Sequence, residues 1–257
     1  MLELSHSTLN LFFPQWQGSG RIELYEGAQL LYESLCDRLP FTRIPTSSAY
    51  SLTLRENILG HSQILSQLSA ACRIIKTHNP ARILTLGGDC GVEIAPVSFL
   101  NQKYGRSLAI IWLDAHGDLN TPRSSPSGHF HGMPLRTLLG EGSQDILNQA
   151  FSTVLPRQAF LIGTRELDPP ERSFVQENSL SIVSANAVNR QENSRLLAAL
   201  ATGGFSRLYI HLDLDVIDPE DFPHVACPTP HGINTRSLRR LLTDLKGNSG
   251  SKQVCVA

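Results

Sequence analysis

The sequence lacks the features that would direct a protein to a membrane, to nucleic acid or to the secretory route. No apolar run reaches the length of a membrane span, and no cluster of basic residues occurs. The formal net charge of -1 argues against nucleic acid or an anionic membrane as the main partner. The N-terminus has no basic segment followed by an apolar core, so no secretory signal is expected. These absences predict a cytoplasmic enzyme that acts on a small molecule.

The cysteines lack any pair in the CxxC spacing, and their number, 5, is odd. Scattered cysteines in a cytoplasmic protein indicate free thiols rather than a disulfide framework. Most of them are predicted to be structural. Cys90 is the exception, because it directly follows a Gly-Gly-Asp segment. The sequence also shows no internal repeat and no low-complexity segment.

The length of 257 residues and the apolar fraction of 41% suit one α/β domain with a substantial core. Short apolar runs alternate with stretches in which apolar residues recur at helical spacing. The predicted strands are residues 9–13, 81–86, 108–113, 158–162, 180–184 and 208–212. The predicted helices are residues 24–39, 57–77, 91–104, 143–151, 170–178, 192–203 and 235–245. This alternation predicts a parallel sheet with helices on both faces and a ligand site at the carboxyl ends of the strands.

Two aspartate-rich segments, each directly after an apolar run, carry the strongest functional signal. Asp114, His116 and Asp118 follow the first run, and Asp213 and Asp215 follow the second. Carboxylates at the ends of buried strands are costly to bury unless cations neutralise them. Alternate residues of an extended segment project to one side, so these side chains are expected to face one cavity. The segments therefore predict a site for two divalent cations, and the oxygen-rich ligands favour manganese over a structural zinc.

A glycine-containing loop follows the first acidic segment and contains His129 and His131. A loop so close to Asp118 in sequence can bring an imidazole over the metals, where it can donate a proton. A lone histidine is more often a surface or packing residue. The neighbouring acidic segment favours a functional role for His131.

Five motifs in a fixed order resemble the arginase and agmatinase (ureohydrolase) family. They are GGD at 87–89, DAHGD at 114–118, SGHFHGMP at 127–134, GTRELDP at 163–169 and DLDVIDP at 213–219. The resemblance implies a three-layer α/β/α sandwich around a parallel sheet of about eight strands. It also implies a binuclear manganese site that hydrolyses a guanidino C–N bond, and a homo-oligomer such as a trimer or hexamer.

The resemblance further implies roles for individual residues. The implied ligands of one metal are Cys90, Asp114, Asp118 and Asp213. Those of the other metal are His116, Asp114, Asp213 and Asp215. Asp118 is expected to accept a hydrogen bond from the reacting water, and His131 to protonate the leaving amine. Asp218 is assigned to the support of the ligands or of the turn, and Arg165 to a structural or subunit-contact role rather than to catalysis.

The substrate-binding residues follow from the same resemblance. Residues 163–171 look like the arginase version of this segment, in which the position of Asp168 contacts the substrate α-amino group. Polar groups at Asn120, Ser127 and His129 favour an amino-acid substrate over agmatine, which has no carboxylate. The family usually has asparagine where His129 stands, and a histidine can still bind a carboxylate.

Cys90 stands where the family has a metal-ligand histidine. A thiolate is softer than an imidazole, and it adds a negative charge where four carboxylates already balance two divalent cations. The added charge is expected to raise the pKa of the metal-bound water and so to weaken ordinary arginase activity. Family members with cysteine here include hydroxyarginine hydrolases of antibiotic biosynthesis. N-hydroxyarginine, giving hydroxyurea and ornithine, is therefore the favoured substrate.

Other activities stay open on the sequence alone. They are an ordinary arginase, a formiminoglutamate hydrolase with Arg123 or Arg136 near the distal carboxylate, a deacetylase-like amide hydrolase, and a weak or metal-poor homologue that serves as a scaffold or regulatory subunit.

Three smaller features complete the expectations. His211 stands where the family usually has a small residue, and it is either a hydrogen-bond donor to an aspartate or merely packed. Cys227 is expected to line the pocket. Residues 254–257 read as the start of a strand, and we expect residues 1–257 to form one domain that lacks its last strand and helix. A glutamate that pairs with the guanidinium in the family would lie in that strand, and the alternative is that another acid takes its role.

Overall fold

A parallel sheet of 8 strands forms the centre of the fold in the computed structural model, which describes residues 8–247 and the backbone of 253–256. Its strands are β1 (Thr8–Phe13), β2 (Thr42–Arg43), β5 (Arg82–Gly87), β6 (Leu108–Leu113), β7 (Ala159–Ile162), β8 (Ser181–Val183), β9 (Arg207–Leu212) and β10 (Gln253–Val256). Their order is β2-β1-β5-β10-β9-β6-β7-β8, and every pairing is parallel. The strands β3 (Leu54–Arg55) and β4 (Ile58–Leu59) form a separate antiparallel pair.

Helices connect the strands. They are α1 (Glu23–Leu35), α2 (His61–His78), α3 (Ile94–Tyr104), α4 (Pro134–Leu138), α5 (Gln144–Leu147), α6 (Pro169–Glu177), α7 (Ala185–Asn189), α8 (Ser194–Thr202) and α9 (Thr235–Gly247). None of the helices in the described part of the chain has both the length and the apolar character that crossing a membrane requires.

The sheet separates two apolar cores, as the strand β6 makes clear. All six of its residues are buried. Ile110 and Trp112 pack into the core that also contains α2 and α3, whereas Ile111 and Leu113 pack into the core that contains α8 and α9. Because successive side chains of a strand point to opposite faces, one continuous apolar run serves both cores. The predicted three-layer α/β/α sandwich is confirmed.

The predicted strands all occur, with ends that differ by at most one residue, and residues 254–256 of the predicted C-terminal strand lie within β10. The helix predicted at 57–77 begins only at His61, because β3 and β4 form a tight turn in which Glu56 and Asn57 have φ of 51° and 56°. The helix predicted at 143–151 is a single turn, α5. The chain after α5 is held by Asn101, which donates hydrogen bonds to Ser152 and to the carbonyl of Thr153.

Further differences concern the ends of helices and short elements. The helix predicted at 24–39 ends at Leu35 as α1, and the one predicted at 91–104 starts with a 3-10 turn at Cys90–Glu93 before α3. The Asp89 side chain accepts a hydrogen bond from Gly91 N at 2.9 Å, which fixes that turn. The elements β2, α4 and α7 were not predicted, because segments of two to five residues are too short to show a period.

Candidate metal centre

The pairing of β6 with β9 brings the two aspartate-rich segments together. Leu113 and Leu212, the last residues of these strands, are partners in the parallel register. Asp114 and Asp213 therefore leave the sheet side by side at its carboxyl edge. The backbone N–H of Asp213 donates to Leu113 O at 2.9 Å, which holds the two chain segments together just before they diverge.

The aspartate-rich segments are not extended, so the alternation argument for their common orientation is wrong. Residues Leu214–Val216 form a 3-10 turn, and Asp118 has a φ of 52° in the left-handed region. The Asp114 side chain accepts a hydrogen bond from His116 N at 2.7 Å. The Asp213 side chain accepts one from Asp215 N at 2.8 Å. These local turns, rather than a pleat, turn the side chains toward one cavity.

Two groups of candidate ligands share the Asp114 carboxylate. Within each group the ligand atoms lie within 4.8 Å of one another. The first group contains Cys90, Asp114, His211 and Asp213. The second contains Asp114, His116 and Asp215. Asp118 lines the same cavity but belongs to neither group.

The electrostatics of these carboxylates fit bound cations. Burial, together with the neighbouring Asp114 charge, raises the pKa of Asp118 well above its usual value. The same two causes raise the pKa of Asp213. Burial and the charges of Asp213 and Asp114 raise the pKa of Asp215 to about 7. One oxygen of Asp114 and one of Asp118 are buried without a hydrogen-bond partner among the described residues. Divalent cations would offset the repulsion between these carboxylates and would bind the two oxygens that lack a hydrogen-bond partner. The donor set therefore fits a metal centre.

The imidazole of His116 is held between two carboxylates. Its Nδ1 lies 3.0 Å from Asp215 Oδ2 and 3.5 Å from Asp114 Oδ1. Burial lowers the pKa of His116, but the hydrogen bonds to Asp114 and Asp215 outweigh it and raise the pKa to about 12. Burial likewise opposes ionisation of Asp114, but interactions with the neighbouring imidazoles of His116 and His211 hold its pKa below the usual range. A metal ion bound here would take the place of the His116 proton.

Cys90 lies in the 3-10 turn that follows β5 and is buried. Its Sγ donates a hydrogen bond to Asp213 Oδ2 at 3.2 Å. Burial and the charge of Asp118 are the main causes that raise the pKa of this thiol. The thiol therefore keeps its proton beside the bare carboxylates, and a bound metal would have to displace it.

The predicted substrate-binding residues meet in one cavity of about 150 Å³ beside the carboxylates. The predicted residues that line it are Asn120, Ser127, His129, His131 and Asp168. Cys227 also lines the cavity, as predicted. Asn120 Nδ2 donates to Asp168 Oδ2 at 2.8 Å, which orients both polar groups. No arginine or lysine is among the described residues that line this cavity.

Glu171, which the sequence analysis did not assign, connects the carboxylate loop to the substrate side. Its Oε1 accepts a hydrogen bond from Leu119 N at 2.8 Å, and its Oε2 accepts one from Asp168 N at 2.7 Å. Asp168 and Glu171 form a capping box at the start of α6. The three-residue spacing of Asp and Glu before a helix is a sequence signal that could have identified this role.

His131 is placed by a chain of contacts that begins at β5. The Asp89 carboxylate accepts hydrogen bonds from Gln15 Nε2 at 2.9 Å and from Gly18 N at 2.8 Å. The carbonyl of Gly18 accepts a hydrogen bond from His131 N at 3.1 Å. A Cβ at Gly18 would lie 2.7 Å from Asp89 Oδ1, so only glycine fits there. Burial and the nearby His129 lower the pKa of His131 to about 4, and its imidazole is neutral at neutral pH.

Arg165 and Asp218 support the backbone, as predicted. The Arg165 guanidinium donates to five carbonyl groups, which lie after β7, after β9 and in the loop before α9. Its shortest contact is with Thr229 O at 2.6 Å. The Asp218 carboxylate accepts hydrogen bonds from Glu220 N at 3.0 Å and from Gly232 N at 2.7 Å. Both side chains hold the loop that follows the second aspartate-rich segment.

Comparison with known proteins agrees with this arrangement. The sequence profile of the arginase family matches residues 24–255. The chain belongs to the arginase family. An arginase of Staphylococcus aureus is 34% identical over 157 residues, which cover 60% of this chain and 52% of that protein. The chain thus spans about half the length of the relatives that it matches in sequence.

Solved structures of the family show the same fold. The arginase of Bacillus caldovelox superposes with a TM-score of 0.82 at 26% identity, covering 98% of this chain and 90% of that one. The arginase of Entamoeba histolytica, solved in complex with L-ornithine, gives a TM-score of 0.85 at 21% identity with the same coverage. The predicted arginase-like fold is confirmed.

We predict that Arg165→Lys lowers the free energy of unfolding by about 1.5–3 kcal/mol, because an ammonium cannot replace the planar guanidinium that bonds several carbonyls at once. Urea unfolding followed by circular dichroism measures the change. Arg240→Lys, on the exposed face of α9, is the matched control and should shift stability by no more than about 0.5 kcal/mol. Equal shifts for the two variants would contradict the structural role of Arg165.

Proposed function

We propose that this protein is a metal-dependent amidinohydrolase that cleaves the guanidino C–N bond of an arginine-like amino acid. The observation that carries the proposal is the pair of ligand groups that share Asp114. One cavity is lined by the hydrogen-bonded pair of Asn120 and Asp168 and by five members of these groups, Cys90, Asp114, His116, Asp213 and Asp215. Manganese is the proposed metal, because the group of Asp114, His116 and Asp215 is rich in oxygen.

The side chains around the cavity suit a substrate with a cationic and an amino-acid end. Asp168, oriented by Asn120, offers a carboxylate oxygen to an α-amino group. Ser127 and His129 line the same cavity and can donate hydrogen bonds to an α-carboxylate. The aspartates of the ligand groups, which line this cavity, attract a guanidinium group. Agmatine, which has no carboxylate, would leave Ser127 and His129 without a partner.

Two residues are proposed to handle protons. Bound cations supply Lewis acidity and lower the pKa of a coordinated water. Asp118 lines the cavity and has one carboxylate oxygen without a hydrogen-bond partner among the described residues, so it can accept a hydrogen bond from the reacting water. The neutral imidazole of His131 can take up a proton and return it to the departing nitrogen.

Arginine is the first candidate substrate, since the sequence relatives are named arginases. This favours the ordinary arginase alternative over the N-hydroxyarginine preference that the sequence analysis put first. N-hydroxyarginine stays the second candidate on the strength of one observation, the buried Cys90 thiol at a ligand position. A less basic guanidine needs less activation by the metal centre, which a thiolate would weaken.

A formiminoglutamate substrate has little support. Arg136, one of the two cations considered for its distal carboxylate, lies 3.4 Å from the ring centroid of Phe174 and pairs with Glu141 at 2.7 Å. Neither Arg136 nor Arg123 lines the cavity in the described part of the chain. The single-domain organisation of residues 1–257, the cytoplasmic location and assembly into a trimer or hexamer stay predictions.

The proposed function is tested by an assay of metal-stripped protein reloaded with Mn²⁺. We expect urea from arginine or hydroxyurea from N-hydroxyarginine, with ornithine as the common product and no product from agmatine. Activity should disappear on chelation and return with Mn²⁺. A fully loaded protein that hydrolyses neither amino acid would overturn the proposal.

We predict that His131→Ala lowers kcat by about two to four orders of magnitude, the usual contribution of a positioned acid or base. Its metal content should stay unchanged, because His131 is in neither ligand group. Mass spectrometric metal analysis beside the kinetic assay checks both points. A loss of metal would show that His131 is a ligand instead.

We predict that Cys90→His raises Mn²⁺ occupancy and shifts the kcat/KM ratio toward arginine over N-hydroxyarginine. The physical reason is that a neutral imidazole removes one negative charge from the ligands. Metal titration and competition kinetics on both proteins measure the two effects. Cys90→Ser, which removes the thiolate without supplying nitrogen, is the matched control and should lower occupancy. Unchanged Mn²⁺ occupancy and unchanged selectivity in Cys90→His would contradict the proposed effect of the thiolate charge.

A further inference from the structure

His211 is fixed more firmly than a residue that merely fills space. It lies on β9, two residues before Asp213, and its side chain is almost fully buried. Its ring stacks on Trp112 of β6 with centroids 3.8 Å apart. Its Nδ1 lies 2.8 Å from Glu93 Oε1, and the other Glu93 oxygen accepts a hydrogen bond from Tyr209. These contacts set the rotation and the position of the imidazole.

The opposite nitrogen of this ring faces Asp114 but does not reach hydrogen-bond distance. Nε2 of His211 is buried and makes no hydrogen bond within the described residues. It lies 3.6 Å from Asp114 Oδ2, which is too long for a hydrogen bond. That oxygen is also without a partner. The His211 nitrogen and this Asp114 oxygen can both act as acceptors, and neither has a hydrogen bond. The gap between them leaves room for a cation.

The spacing of the donors fits coordination of a single cation. Neighbouring ligand atoms at about 2.0–2.3 Å from one cation are separated by about 2.8 Å in octahedral geometry and by up to about 3.8 Å in tetrahedral geometry. Nε2 of His211 and Oδ2 of Asp114 are 3.6 Å apart, and Sγ of Cys90 and Oδ2 of Asp213 are 3.2 Å apart. Both separations lie within this range. All four residues contribute atoms to one group within 4.8 Å.

We propose that Nε2 of His211 is a direct ligand of the metal held by Cys90, Asp114 and Asp213. The inference rests on the metal centre of the proposed function and adds a ligand to it. His211 supplies the nitrogen donor that cysteine at position 90 removes. The donor reaches the metal from β9 instead of from the turn after β5.

Glu93 makes His211 a suitable ligand. An acceptor at Nδ1 places the ring proton there and leaves the Nε2 lone pair free for a metal. A carboxylate that binds the outer nitrogen of a ligand histidine orients the ring and increases its basicity. Glu93 belongs to the same 3-10 turn as Cys90. One turn therefore carries the thiol ligand and the group that orients the imidazole.

A titration of the metal-stripped full chain with Mn²⁺ tests the proposal in four proteins: the unaltered chain, His211→Ser, Cys90→His and the double variant. His211→Ser should weaken the binding of one Mn²⁺ at least about 10–100-fold, the loss typical even of an outer partner. In the Cys90→His background the same change should cost at most a few-fold, because the new imidazole supplies the nitrogen. Equal losses in both backgrounds would mean that His211 only positions Asp114.

His129→Ser is the control for removing a histidine near the same carboxylates, since His129 lines the cavity beside them but is outside both ligand groups. It should leave Mn²⁺ affinity unchanged. A loss as large as that of His211→Ser would overturn the assignment, because the effect would then not depend on the ligand group. Circular dichroism establishes that each variant is folded before it is titrated.

Pulsed electron paramagnetic resonance of the unaltered, Mn²⁺-loaded protein keeps the proposal testable if His211→Ser does not fold. Imidazole nitrogen bound directly to Mn²⁺ gives a hyperfine coupling. We expect couplings from two imidazoles, those of His211 and His116, whereas a coupling from one imidazole would refute the inference. These readouts need no turnover. A protein that binds Mn²⁺ through His211 but hydrolyses no substrate would contradict the proposed function alone.

Discussion

The mutual repulsion of the aspartates at one edge of the sheet is the constraint on which the rest of the structure depends. Parallel pairing of β6 and β9 sets Asp114 beside Asp213, and burial removes the water that would screen them. The raised pKa values of Asp213 and Asp118 reflect the free-energy cost of ionising buried carboxylates beside one another. The fold tolerates this cost through His116 and His211, which face Asp114 from two sides. Cations bound between the carboxylates would remove it, so folding and metal binding are coupled.

Much of the fold follows from short-range pattern. The run at 108–113 coincides with β6 because every residue of a central parallel strand is buried, and a continuous apolar run is its signature. The predicted helix boundaries are wrong where tertiary contacts determine the local structure. The turn before α2 requires positive φ at Glu56 and Asn57, and the shortness of α5 depends on hydrogen bonds from α3. Neither cause has a periodic signal in the sequence.

The residues that form the candidate site could be predicted from the sequence, whereas their arrangement could not. The aspartates and His116 do gather, but through local turns, with Asp118 at positive φ, rather than along an extended segment. The role of Glu93 could not be predicted, because its partner His211 is 118 residues away in sequence. Such a pair becomes visible only when β5 and β9 are placed in one sheet.

The two metal positions are chemically unequal, and this follows from the neighbours of Cys90. Glycine at position 91 and glutamate at position 93 accompany the cysteine in one 3-10 turn. A Cβ at Gly91 would lie 2.5 Å from Gln15 Nε2, so the turn packs closely against the segment that supports His131. Glu93 in turn orients His211. One position thus offers sulfur in addition to one imidazole and two carboxylates, whereas the position at His116 offers one imidazole and two carboxylates. Soft donors such as sulfur favour soft cations. We therefore expect the position at Cys90 to select manganese less strongly than the position at His116 does.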